Sequence, residues 1–266
     1  MSLKSPPAAA DRPEVRVAIE GAVATITLDR PHKRNALSLR IIGELRAAFE
    51  TLPDSVKAVV LNGAGEHFSA GLDLSELAPL SAAEGMLHSM VWYEAFDRIQ
   101  FGTRPVVCVM QGAVVGGGLE LASVAHVRVA EHSAYFGLPE GQRGIFLGGG
   151  GSVRITKLIG VSRVTEMMLT GHVYNAQEGF QIGLAHHLVP VGEGLRKGQE
   201  LAARMAGNAP MSNFAILRAL PLIAEQPMAH GLMTEALMAT VTQSEPEAKE
   251  RVRAFLDKRA GKVLPS

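Results

Sequence analysis

Apolar and polar residues alternate from Val15 to Leu28, and the alternation is interrupted at Glu20-Gly21. Val15-Arg16-Val17-Ala18-Ile19 and Val23-Ala24-Thr25-Ile26-Thr27-Leu28 are therefore expected to pair as a β-hairpin. The rhythm then changes. Ser38 stands ahead of Ile41, Leu45, Phe49 and Leu52, a spacing that puts all four on one face of a helix capped by the serine. Lys57 to Asn62 reads as a buried strand, broken by Asn62-Gly63-Ala64-Gly65. A helix is expected from about Ala83 to Ile99, followed by the strand Val106 to Met110 and a glycine run. Strands alternating with helices imply an α/β layout with βαβ-type crossings.

Beyond His172 the pattern is mostly helical, with His187-Leu188-Val189 as the remaining strand signal. Ser244-Glu245-Pro246-Glu247 has the form of a capping box, serine at the N-cap and glutamate three residues on. Val252, Phe255 and Leu256 give that last helix an apolar face, and Gly261 is expected to end it. The expected organisation is a loose tail over 1–13, an α/β core over 14–200 and a helical C-terminal region over 201–266.

Composition narrows the class. Hydrophobic residues make up 47% and charged residues 20%, enough for a sizeable core and unlike a disordered chain. Lys+Arg and Asp+Glu are both 26, so charge gives no reason to expect a nucleic-acid partner. The single cysteine, Cys108, lies in an apolar run and is expected to be core packing; it excludes an intrachain disulfide and a multi-cysteine metal site. Met1 to Pro13 has no apolar signal region. The stretch from Val106 to Val129 is interrupted by glycines and carries Glu120, His126 and Arg128, which rules it out as a spanning helix. A soluble, cytoplasmic protein without membrane association is expected.

Two glutamates carry the candidate chemistry. Glu120 closes the run Gln111-Gly112-Ala113-Val114-Val115-Gly116-Gly117-Gly118-Leu119-Glu120, and Glu140 lies in Phe136-Gly137-Leu138-Pro139-Glu140. A glycine run after an apolar strand lets backbone approach a ligand and leaves amide N–H groups free. Two carboxylates nearby can divide the roles of proton donor and acceptor. Together they suggest an enzyme acting on a polarised carbonyl. Nucleotide binding is disfavoured, because the chain has no G-x-x-x-x-G-K-[ST] and the Gly112 to Gly118 spacing is not G-x-G-x-x-G.

With Asp29-Arg30-Pro31-His32-Lys33-Arg34-Asn35-Ala36-Leu37-Ser38, His67-Phe68-Ser69-Ala70-Gly71-Leu72-Asp73-Leu74 and Ala254-Phe255-Leu256-Asp257-Lys258-Arg259, these segments fall in one order. From about Val15 to Arg259 the chain closely resembles the crotonase superfamily, the enoyl-CoA hydratase/isomerase family. The resemblance implies a crotonase-like α/β fold of spiralling ββα units with a helical C-terminal oligomerisation region. It also implies homotrimers, often paired into hexamers, and an acyl-CoA thioester substrate with no metal or redox cofactor. The thioester oxygen would be held by the N–H groups of Ala70 and Gly117. Glu120 would deprotonate the water attacking the β-carbon, and Glu140 would protonate the α-carbon. CoA would be bound by Lys33, Arg34, Ala36, Leu37 and Ala70, with Phe255 and Lys258 contributed by a neighbouring subunit.

Both glutamates together favour reversible hydration of a trans-2-enoyl-CoA to a 3-hydroxyacyl-CoA. The alternatives are enoyl-CoA isomerase, CoA hydrolase or lyase, and a non-catalytic protein of this fold. Dienoyl-CoA isomerisation is disfavoured because Gly148 stands where that subfamily has an essential aspartate. Feruloyl-CoA hydratase-lyases gain no positive support. Leu72, Trp92, Gln142, Arg143 and Phe146 are assigned to the acyl pocket. Gly141-Gln142-Arg143, Leu147 and Arg251 depart from the usual pattern, the first two in ways that bear on the acyl group. Asp73 is expected to be a turn or cap residue, and the adjacent His186 and His187 are not expected to chelate a metal.

Overall fold

A computed structural model describes residues 12–76 and 80–259. The proposed tail up to residue 11 and the helix stop at Gly261 lie outside the described residues. The chain divides into two compact units, Met1–Ala206 and Gly207–Ser266.

In the first unit, β1 (Val15–Glu20) and β2 (Val23–Leu28) form the antiparallel hairpin, with Val15 opposite Leu28. Gly21, at φ 57°, opens the two-residue loop, a position where a side chain is disfavoured. Ser38 caps α1 (Leu39–Glu50), its hydroxyl accepting from Ile41 N–H at 3.2 Å. The helix ends before Leu52, which is nonetheless buried. β3 (Ala58–Gly63), α2 (Ala82–Gln100) and β4 (Val106–Met110) follow close to their expected ranges. Ser81 and Glu84 form a reciprocal capping box at the start of α2.

After β4 come β5 (Ala113–Val115), α3 (Gly117–Ser123), β6 (Val127–Glu131) and β7 (Tyr135–Gly137). The unit finishes with α4 (Gly151–Ile159), α5 (Val161–Thr170), β8 (Val173–Asn175), α6 (Ala176–Ile182), β9 (His187–Val189) and α7 (Gly194–Ala206). Strands β1-β2-β3-β4-β6-β9 make one sheet, parallel from β2 onward, and β5-β7-β8 make a second.

The middle of the large sheet, at β3 and β4, is covered on both faces, and period-two alternation shows how. Val59 and Leu61 of β3 and Cys108 and Met110 of β4 join the core that includes α1 and α2 residues. Ala58, Val60, Val107 and Val109 point the other way, against Ala202, Leu201 and Met205 of α7. A strand buried on both sides must be apolar throughout, which is why Val106-Val107-Cys108-Val109-Met110 carries no polar residue. Because α7 packs on this sheet, the first unit extends through Ala206 rather than stopping at 200.

The second unit contains α8 (Pro210–Phe214), a π-helical turn at Ala215–Ala219, α9 (Leu220–Glu225), α10 (Met228–Ser244) and α11 (Pro246–Leu256). Pro221 lacks an N–H for the regular ladder, and the π turn directly before it absorbs the mismatch. The capping box expected at Ser244 does not form. The N-cap is Glu245, without a side-chain cap, and Ser244 Oγ donates back to Val241 O. Arg251 bridges Glu247 and the Gly207 carbonyl, which gives this unusual residue a structural role. Among the described residues no helix is long and apolar enough to cross a membrane.

Candidate active site

The two glutamates meet in one small cavity. It encloses about 110 Å³ and is lined by Ala70, Leu72, Trp92, Gly117, Glu120, Glu140, Arg143 and Phe146 among others. One water needs only ~10–15 Å³ by this kind of measure, so the space admits a short chain of heavy atoms.

Glu120 lies on α3 and is 4% exposed. Its Oε1 accepts from the N–H groups of Gly149 and Gly151, each at 2.8 Å. Gly151 is the first residue of α4, so the carboxylate sits at a helix N-terminus, where backbone dipoles favour a negative charge. Burial raises its proton affinity overall, although the two amides and the charge of Arg154 pull the other way. Glycine is required around it. A methyl group at Gly151 would lie 2.6 Å from Glu120 Cγ, and one at Gly149 would lie 3.1 Å from Oε2.

Glu140 follows β7 and is also buried, but its environment differs. Oε2 has no hydrogen-bond partner among the described residues. Burial, with a smaller contribution from the Glu120 charge, raises its proton affinity to about 7. One carboxylate is thus held by two amide donors, while the other has an oxygen without a partner among the described residues. That asymmetry allows a base and an acid to coexist in one cavity.

The N–H donors differ from the sequence expectation. Ala70 lines the cavity, but its N–H donates to Arg34 O at 2.9 Å and is not free for a ligand. Leu37 N donates to Gly71 O (2.7 Å) and Asp73 N donates to Leu37 O (2.9 Å). Those bonds turn the intervening Leu72 N–H to the opposite side of the chain. A methyl group at Gly117 would lie 3.2 Å from Leu72 N, and one at Gly71 would lie 3.2 Å from Gly117 N. Gly117 is the first residue of α3, so its N–H has no partner within the helix. Among the described residues neither the Leu72 nor the Gly117 N–H is bonded. The two unbonded N–H groups are therefore those of Leu72 and Gly117, and the Ala70 N–H expected to hold the thioester oxygen is occupied within the fold.

Of the five residues assigned to the acyl pocket, four lie together and one does not. Leu72, Trp92, Arg143 and Phe146 line the cavity. Gln142 turns away and donates to Thr170 O at 3.2 Å. Adjacent residues in the 3-10 turn Gly141–Arg143 point in different directions, which separates Gln142 from Arg143. Gly85, His88 and Ser89 also line the cavity and were not anticipated. They lie one and two turns before Trp92 on the same face of α2, so the helical spacing that starts from Trp92 would have found them. His88 is buried, burial lowers its proton affinity, and its Nε2 lacks a partner among the described residues. Leu147 is buried in the core rather than open to ligand.

The loop proposed to bind CoA is tightly built. Asn35 is fully buried; its amide accepts from Arg30 N and donates to Ala64 O and His67 O. It ties the exposed Lys33-Arg34 turn to the segment leading into Leu72. Ala36 is half-buried and Leu37 fully buried, so Leu37 supports the loop from beneath. Asp73 is held down to about 2 by the Ser75 hydroxyl, then by Arg30 and Lys33, and acts as a structural anion. Phe255 and Lys258 are exposed in the second unit.

A larger groove of about 580 Å³ contains His67, Gln111 and Glu131. Its buried carboxylate, Glu131, accepts from Gly194 N at the start of α7, a structural duty. Among the described residues no three His, Cys, Asp or Glu side chains gather as a metal set. His186 Nδ1 accepts from Arg128 N at 3.0 Å and is occupied within the fold.

The enoyl-CoA hydratase/isomerase family profile matches residues 18–262. A 2,3-dehydroadipyl-CoA hydratase of Escherichia coli K12 is 33% identical over 92% of this chain and 96% of its own length. A short-chain-enoyl-CoA hydratase of Clostridium acetobutylicum is 30% identical over 90% and 93%. A crystal structure from Rhodopseudomonas palustris, provisionally named an enoyl-CoA hydratase, superposes with TM-score 0.91 at 53% identity, covering 97% of this chain and 100% of that one. The chain has the crotonase fold and belongs to the enoyl-CoA hydratase/isomerase family.

Proposed function

We propose that the protein adds water reversibly across the double bond of a trans-2-enoyl-CoA to give a 3-hydroxyacyl-CoA. The observation that carries this reading is the pairing of two buried carboxylates in unlike surroundings, one held by two amide N–H groups and the other without a partner at Oε2, beside two unbonded N–H groups. The thioester oxygen accepts from Leu72 and Gly117 N–H, which stabilise the enolate as charge moves onto oxygen. Losing one such donor costs about 3 kcal/mol of transition-state stabilisation. Glu120 takes a proton from water as the hydroxyl oxygen bonds to C3. Glu140, protonated near neutrality, delivers a proton to C2. The net change breaks one O–H bond of water and the C2–C3 π bond and forms one C–O and one C–H bond, and the proton taken up by Glu120 makes good the one given by Glu140 before the next turnover. Electrons stay paired in substrate bonds, so the reaction itself calls for no redox cofactor.

Lys33 and Arg34 suit the CoA phosphates, and Ala36 and Leu37 give that loop its apolar side. Ala70 would meet CoA through groups other than its occupied N–H. Phe255 and Lys258 would serve a neighbouring subunit in a homotrimer or hexamer. That assembly would cover apolar side chains such as Met228, Leu232, Met233 and Leu237, which are exposed on α10. A double-bond isomerase is the second reading, since Glu140 alone could shuttle one proton at its affinity of about 7. Purified protein with crotonyl-CoA separates the two. Loss of the conjugated enoyl absorbance with product heavier by one water supports hydration, whereas a product of unchanged mass supports isomerisation.

A further inference from the structure

The N–H groups that hold Glu120 Oε1 belong to the peptides 148–149 and 150–151. The peptide between them carries the Gly149 carbonyl, and that oxygen accepts from Arg154 Nη1 at 3.1 Å. The rest of the guanidinium reaches the last turn of α2. Nε donates to Gln100 Oε1 at 2.6 Å, and Nη2 pairs with Asp97 at 2.9 Å. The Arg154 side chain is 14% exposed. It folds so closely over the cradle that a methyl group at Gly150, itself at φ 90°, would collide with Nη1.

We propose that Arg154 is a positioning residue for Glu120, locking the central peptide of its amide cradle to α2 and so keeping the carboxylate oriented. The fork of the guanidinium suits this, since it reaches three acceptors in one plane; a lysine supplies charge without the fork. The same helix carries His88, Ser89 and Trp92 on the cavity wall, so the contact also holds that wall in register with the carboxylate. The charge of Arg154 opposes the effect of burial on Glu120. The other titratable groups at the cavity are Glu140 and Arg143, after β7, and His88 on α2. Asp97 and Tyr93 of α2 act on Arg154 itself. The inference rests on the hydratase reading only where it concerns turnover.

The test uses protein labelled with carbon-13 at the glutamate carboxyl, the Glu120 signal being the one lost in Glu120→Gln. In Arg154→Ala the Glu120 titration midpoint should rise, as expected on removing an opposite charge. If enoyl-CoA is hydrated, kcat should fall and its acid limb should move up with the midpoint, while KM stays within about twofold. Arg154→Lys should lie between, and millimolar guanidinium should restore part of the loss in Arg154→Ala. Should Arg154→Ala fail to fold, Arg154→Lys and Asp97→Asn carry the test by weakening the same contacts. An unchanged Glu120 midpoint in the folded variants overturns the inference. Because the carboxyl signal needs no turnover, failure of the hydratase reading would be seen separately.

Discussion

Replacing Glu140 with glutamine should stabilise the protein at pH 8 even though it removes the proposed proton donor. Burial, aided by the charge of Glu120, raises the Glu140 carboxyl from 4.5 to about 7 in the folded state. Between those values the folded chain keeps a proton that the unfolded chain has released. Stability contributed by this group is therefore complete below pH 4.5 and is lost as pH rises through about 7. A tenfold change in proton affinity is worth about 1.4 kcal/mol, so the ionised group costs about 3 kcal/mol by pH 8. Little discount for solvent applies, because the residue is 7% exposed. Glutamine keeps the shape and carries no charge. Urea unfolding of wild type and Glu140→Gln at pH 5, 6, 7 and 8 cancels every group the two proteins share. The difference should be small at pH 5 and grow in favour of the variant toward pH 8. A difference that does not change with pH would refute the buried-carboxyl argument.

Two further substitutions address geometry. Gly151→Ala places a methyl group against Glu120 Cγ and should displace the carboxylate, lowering kcat about 100-fold or more in steady-state assays. The affinity for a saturated acyl-CoA, measured by calorimetry, should be little affected. Leu72→Pro removes the N–H assigned to the thioester oxygen, whereas Leu72→Ala shortens the side chain and keeps it. The proline variant should lose about 100-fold or more in kcat beyond the alanine variant. Equal rates for the two, with both folded by circular dichroism, would count against Leu72 as a donor.

Much of this site was legible in the sequence, and its errors have a common cause. The apolar runs at 58–61 and 106–110 announced strands buried on both faces, and Ser38 announced its helix. Glu120 and Glu140 were visible because carboxylates beside glycine runs have few structural uses. A sequence names residues but not the direction of a peptide N–H, so Ala70 was chosen where Leu72 presents the free donor. The same limit merged Gln142 with Arg143, neighbours that point apart. β5, β7 and β8 are three-residue strands, too short for alternation to register. Ser244 matched a motif, yet its hydroxyl found the Val241 carbonyl, a competing local bond open to any serine at a helix end. Arg154 was passed over because nothing in its sequence position shows that it reaches α2.

The most direct test of the central claim compares Glu120→Gln and Glu140→Gln with wild type on crotonyl-CoA, alongside butyryl-CoA binding by calorimetry. In both variants hydration should fall by about 10²–10⁴-fold, the range for lost acid or base catalysis, while butyryl-CoA affinity stays within about twofold. Turnover close to wild type in either variant would remove that glutamate from the mechanism and contradict a division of labour between the two carboxylates.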